Sequence, residues 1–139
     1  MALEIEMLGS TMAAAVTGVD LSAPVDDETA LQLRQAVTDH LVICIRNQHL
    51  SPRQLASAGR VFGPLKTFLL RGDRIEEAPE VSVVSNRPPM FDGKPLVQAK
   101  HWHTDDSYLA EPATLTLLHA VTLPQSGGDT EFINCYAVL

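Results

Sequence analysis

Lys100-His101-Trp102-His103-Thr104-Asp105-Asp106-Ser107-Tyr108 is the stretch around which the rest of this chain has to be organised. It sets two imidazoles and two carboxylates close together, beside the only tryptophan of the 139 residues. Imidazole and carboxylate at neighbouring positions form the donor set of a hard or borderline divalent metal ion. Along an extended strand, residues i and i+2 share a face, with Cα atoms roughly 6.5 Å apart. His103 and Asp105 can therefore reach one ion from a single strand end. His101 lies on the same face, but roughly 13 Å from Asp105 along such a strand, so the three are not expected on one ion. The plain alternative is a polar, solvated strand end with chance histidines, and the surrounding sequence has to decide between the two.

The bulk of the chain fits a globular scaffold for such a site. Its 139 residues suffice for one domain, residues 1–139, with a single core. A hydrophobic content of 45% against 19% charged residues is globular rather than disordered composition. Aromatic residues are only 5%, so the core is expected to be Leu, Val, Ile and Ala. The formal net charge of −7 opposes a nucleic-acid or anionic-membrane surface, which needs clustered Lys and Arg. Cys44 and Cys135 sit far apart in apolar contexts, which fits a reducing compartment better than a disulfide framework. The first residues carry acid where a signal peptide carries base. No apolar run approaches the ~20 residues that span a bilayer. These features together predict a soluble, cytoplasmic protein.

Outward from the histidines, periodicity predicts short strands and two helices. Leu3, Ile5 and Met7 alternate with Glu4 and Glu6, a half-buried strand pattern. Gly9-Ser10 turns the chain into a second strand over 13–17. Asp26 or Asp27 caps a helix with the stripe Ala30, Leu33, Val37, ending near His40. The apolar, β-branched run Leu41-Val42-Ile43-Cys44-Ile45 predicts a fully buried strand. Ser51, Pro52 and Gln54 form a helix start with Ser at the cap and Pro at the first turn. Leu55, Ala58 and Phe62 are its stripe, and Gly63-Pro64 its stop. A strand is predicted at 81–85, and a Pro-rich surface loop at 86–95 leads to the histidines. Strands follow at 113–122 and 129–133, separated by the Pro124–Gly128 turn, and Asn134 caps a helix that has barely begun at Leu139.

Several of these segments carry recognisable residues in a recognisable order. They are Gly18-Val19-Asp20-Leu21, the 41–46 strand with Asn47-Gln48 and Leu50-Ser51-Pro52, and Phe62-Gly63-Pro64-Leu65. Trp102-His103-Thr104-Asp105 and Gly127-Gly128-Asp129-Thr130 follow. Together they resemble the taurine / 2,4-dichlorophenoxyacetate dioxygenase family of Fe(II)- and 2-oxoglutarate-dependent enzymes, over nearly the whole chain. The resemblance implies a mostly β fold with flanking helices (α+β), part of a double-stranded β-helix or jelly-roll. It implies that His103 and Asp105 are two arms of a 2-His-1-carboxylate triad holding Fe(II). Thr130 would bond the distal carboxylate of 2-oxoglutarate, while Trp102 and Tyr108 would be pocket-wall residues. The implied reaction uses O2, decarboxylates 2-oxoglutarate to succinate and CO2, and hydroxylates a small, anionic organic substrate.

Departures from that pattern set further expectations. The family's third iron ligand is a downstream histidine, followed by an arginine for 2-oxoglutarate, and neither position falls before Leu139. This chain, as the N-terminal portion of a dioxygenase, is therefore expected to turn over little by itself. His40, His49 and His119 are poor substitutes, and His119 is expected to be a satisfied core histidine. Taurine is disfavoured as substrate, because the positions that select it read Lys66-Thr67-Phe68 and Gln98-Ala99-Lys100. Lys66, Arg71 and Lys100 would attract an anion or simply be solvated. Two other readings stand beside the enzyme. One is a cupin using His101 and His103, for which the first downstream glutamate, Glu111, is too distant. The other is a non-catalytic half-domain whose open sheet faces and edges drive association into a homo-oligomer.

Overall fold

The computed structural model describes residues 3–67, 74–85, 90–91, 94–95 and 101–138. Expectations for Phe68, Arg71, Gln98-Ala99-Lys100 and part of the 86–95 loop lie outside them. The order is β1 (Glu4–Met7), β2 (Ala14–Thr17), α1 (Asp27–His40), β3 (Ile43–Ile45) and α2 (Pro52–Arg60). Then come β4 (Arg74–Ile75), β5 (Ala78–Ser82), β6 (Met90–Phe91), β7 (Lys94–Pro95) and a 3-10 turn at Cys135–Ala137. Short strands thus alternate with two helices, as the α+β expectation has it.

The core is built where β2 meets α1. β1 pairs antiparallel with β2, Ile5 opposite Val16, and β3 pairs parallel with β2, Ala15 opposite Cys44. A parallel pair needs a crossover, and α1 supplies it. Val16 and Leu33 are fully buried, and Leu21 and Ala58 complete the cluster. Ile43, Ile45, Leu50 and Phe62 pack against its rim. Burying Leu33 with its neighbours is worth roughly 2 kcal/mol for that side chain.

Both helices start as their sequences demand. The Asp26 carboxylate accepts from the Thr29 backbone N–H at 2.7 Å, capping α1. That bond, aided by the Thr29 hydroxyl, holds the Asp26 carboxyl below its ordinary value. Ser51 and Gln54 form a reciprocal capping box at α2, with Pro52 in the first turn. The buried stripe of α1 is Ala30, Leu33 and Ala36, so Ala36 takes the place read for Val37. In α2, Ala56 and Ala58 are buried and Leu55 is half-buried, as is Phe62 just past its end.

Between the helices, Gln48 acts as a clamp. Its side chain accepts from the Leu21 N–H at 2.8 Å and donates to the carbonyls of Val19 (2.9 Å) and Arg46 (2.8 Å). The Gly18–Leu21 turn is thereby pinned to the end of β3. Farther along, Arg34 donates to the Val61 carbonyl at 2.7 Å, tying α1 to the end of α2. Arg60 pairs with Glu80 at 2.8 Å, holding β5 beside α2.

Four local expectations differ from the fold. β1 is exposed along its whole length, with Ile5 facing α1 across an open groove that the helix does not close. β3 is an edge strand and therefore half-buried, not fully buried as its apolar run implied. The strand read at 81–85 begins earlier, at Ala78, because its partner is β4. Residues 113–122 and 129–133 form no ladder among the described residues. Alternation defines two faces, but a strand exists only when a neighbour accepts its backbone hydrogen bonds.

Candidate functional site

The Trp102–Asp105 stretch is irregular and runs into a turn, so the strand end assumed for it does not form. Asp106 adopts a left-handed backbone (φ 57°), and the Leu109 N–H closes the turn onto the Asp106 carbonyl at 2.9 Å. Aspartate tolerates that conformation better than most residues. The turn nonetheless brings the two candidate ligands together, with His103 Nε2 3.4 Å from Asp105 Oδ1.

Each of the two side chains is oriented by a second group. His103 Nδ1 lies 2.7 Å from the His101 carbonyl, which can only accept, so Nδ1 carries the proton. In the neutral ring, Nε2 then keeps a lone pair. Thr116 Oγ1 donates to Asp105 Oδ2 at 2.7 Å, which leaves Oδ1 unengaged by that bond. Nε2 and Oδ1 are therefore two acceptors facing one another. Such a pair is stabilised by a cation between or beside them, a second proton on the ring or a metal ion. Two donors at about 2.1 Å from an octahedral ion sit about 3 Å apart, close to the separation seen. In donor type and separation the pair fits two positions of an imidazole–carboxylate metal centre. Both side chains are half exposed, at 52% and 50%, so an ion could approach from solvent.

No group of three His, Cys, Asp or Glu converges among the described residues. His101 lends its backbone carbonyl. The half-buried His119 donates from Nε2 to the Gln48 carbonyl at 3.3 Å, the satisfied histidine anticipated for it, although not in a strand. Trp102 (63%) and Tyr108 (74%) are exposed. Thr130 is exposed after the Gly127-Gly128 turn, and the hydrogen bonds of the pair go to His101 and Thr116. Both glycines have left-handed backbones, and a Cβ on Gly128 would lie 3.1 Å from Pro124 Cγ, so the turn needs glycine there. Lys66 is engaged on the Glu111 carbonyl, joining the segment after α2 to the one after the histidines. Thr17–Asp20 with Arg46–Gln48 line one open groove and Leu3 and Ile5 with α1 line another, and neither includes the His103 turn. Thr116 escaped the sequence reading, since a threonine inside an alternating run carries no signal that its hydroxyl is committed.

A short-stranded α+β chain with a His-x-Asp pair 3.4 Å apart is a candidate metal-site domain. Residues 4–139 match the family model for "Taurine catabolism dioxygenase TauD, TfdA family", and the chain belongs to that family. It is similar to the (S)-phenoxypropionate/alpha-ketoglutarate-dioxygenase of Sphingobium herbicidovorans, 31% identical over 136 residues, covering 98% of this chain and 46% of that protein. It is 29% identical over 136 residues to the alpha-ketoglutarate-dependent 2,4-dichlorophenoxyacetate dioxygenase of Cupriavidus pinatubonensis, covering 90% and 47% respectively. Among solved structures, a taurine dioxygenase from Burkholderia xenovorans superposes with a TM-score of 0.55 at 25% identity, over 62% of this chain and 31% of that one. The chain spans about half the length of the curated relatives it matches.

Proposed function

We propose that this chain corresponds to the N-terminal part of an Fe(II)- and 2-oxoglutarate-dependent dioxygenase of double-stranded β-helix fold. The observation that carries the proposal is the pair itself. His103 Nε2 and Asp105 Oδ1 lie 3.4 Å apart with their other polar atoms already committed. His103 and Asp105 are the chain's two iron donors, and Thr130 is its group for the distal carboxylate of 2-oxoglutarate. When bound, iron and 2-oxoglutarate supply oxidative decarboxylation to succinate and CO2, coupled to hydroxylation of a substrate C–H bond. Holding His103 in one tautomer and Asp105 in one orientation is the work of this chain's own residues, and it lowers the cost of ordering them on the metal. Trp102 and Tyr108 stand beside the donors in sequence and offer apolar surface for a substrate wall.

A small organic anion is the substrate class this reading favours. The two relatives above are named for phenoxypropionate and 2,4-dichlorophenoxyacetate, both aryloxy carboxylates. Lys66, engaged on the Glu111 carbonyl, is a weaker candidate for the anion than its sequence position implied.

A second reading is a non-catalytic, self-associating piece of the fold. It is favoured by the apolar residues exposed between 115 and 138, among them Leu118 (68%), Val121 (84%) and Leu123 (76%).

Titration of residues 1–139 with Fe(II), with and without 2-oxoglutarate, tests the enzyme reading. Weak binding that His103→Ala and Asp105→Ala each abolish is the expected outcome, with little succinate formed. His101→Ala should leave binding intact; its loss there, with Asp105→Ala silent, would instead favour a cupin-type site. Tight stoichiometric Fe(II) binding with succinate production by these residues alone would overturn the view that the donor set is incomplete within them.

A further inference from the structure

The two donors are held in matching ways. The His101 carbonyl accepts from His103 Nδ1–H, with Nε2 beside Asp105 Oδ1, and the Thr116 hydroxyl donates to Asp105 Oδ2. The first partner is two residues away and comes with the turn. The second lies eleven positions along the chain, so it is a tertiary contact that the turn does not provide by itself. A hydrogen bond to an ionised carboxylate is about twice as strong as one between neutral groups. It also selects among carboxylate rotamers, because only some of them present one oxygen to Thr116 and the other to His103.

Resting on the iron-site reading above, we propose that Thr116 is a positioning residue for the metal centre, acting through Asp105 rather than touching the ion. Its hydroxyl fixes which carboxylate oxygen the metal meets. Without it, Asp105 is free to rotate and the metal pays the ordering cost. Loss of an orienting partner of a metal ligand typically weakens metal affinity by about 10–100-fold.

Mn(II) is a paramagnetic probe suited to weak sites, so the test is an NMR titration of the full 139-residue chain following line broadening at His103 and Asp105. Thr116→Val keeps the shape and removes the hydroxyl, Thr116→Ala removes both, and Thr116→Ser restores the donor. Thr116 is exposed, so these changes should leave the fold intact, as far-UV circular dichroism and thermal melting would show. The proposal expects the apparent Mn(II) Kd to rise about tenfold or more in the Val and Ala variants, with the Ser variant within a few-fold of the parent. The Asp105 carboxylate carbon should shift in Val and Ala but not in Ser. Unchanged Mn(II) affinity in Val and Ala, while Asp105→Ala abolishes binding, would overturn the role of Thr116 and leave the iron site standing. Unchanged affinity in His103→Ala and Asp105→Ala as well would remove the site itself, and the proposal with it.

Discussion

At the scale of single residues, this chain concentrates its specificity in a few polar side chains that do more than one thing. Gln48 is the clearest. One amide group bonds the Leu21 N–H and the carbonyls of Val19 and Arg46, while its backbone carbonyl accepts from His119. Gln48→Ala would leave the part-buried Leu21 N–H without that partner. The expected cost is about 1–3 kcal/mol, read as a lower denaturation midpoint at unchanged m-value. A change within experimental error would mean that water replaces the amide at no loss. His103 and Asp105 show the same economy, each with one polar atom held and one facing the other.

The elements differ in how far they are locally determined. α1 and α2 carry their own start signals, and both form where those signals lie. For α1, the Asp26 cap makes helix stability depend on pH. The Thr29 backbone N–H, and then its hydroxyl, hold the Asp26 carboxyl below its ordinary value of 3.8. The native state therefore binds fewer protons there than the unfolded chain. The resulting stabilisation is complete above the ordinary value and is lost as pH falls through the lowered one. Asp26→Asn keeps a competent cap with no titrating group. The parent's stability advantage over this variant should be greatest above about pH 5 and shrink as pH drops toward about 2, in denaturant unfolding at several pH values. An advantage that grows with acid would show that another group dominates. The strands behave otherwise. β5 forms three residues earlier than its hydrophobic run begins because β4 is its partner.

Over the whole molecule, order is unevenly distributed. The main core cluster, the caps of α1 and α2 and the β1–β2–β3 sheet all lie within residues 3–62, where Val16 and Leu33 are fully buried. Residues 101–138 hold His103 and Asp105 but no strand, and are tied to the rest through single side-chain bonds such as Asn134 to the Thr11 carbonyl at 3.2 Å. No helix among the described residues is long and apolar enough to cross a membrane. Hydrogen exchange should therefore show the amides of β2 and α1 as the slowest, with residues 113–133 exchanging orders of magnitude faster. Protection across 113–133 that rises with protein concentration would show that copies of the chain supply the missing strand partners, and light scattering would then report an oligomer.

Much of this was readable before any coordinates. The cap at Ser51, a cap at Asp26 or Asp27, the helix that follows it and the glycine turn at 127–128 all follow from local chemistry. Each depends on residues a few positions apart, whose sterics and hydrogen bonds are set by the chain itself. The motif order led to the family, and the match over residues 4–139 bears it out. Tertiary structure alone decided the rest. It made β3 an edge and left 113–122 without a ladder, because strand existence and burial depend on which neighbours are present. It set His103 and Asp105 on a turn, not a strand end. It also brought Thr116 to Asp105, a contact between distant positions that no periodicity encodes.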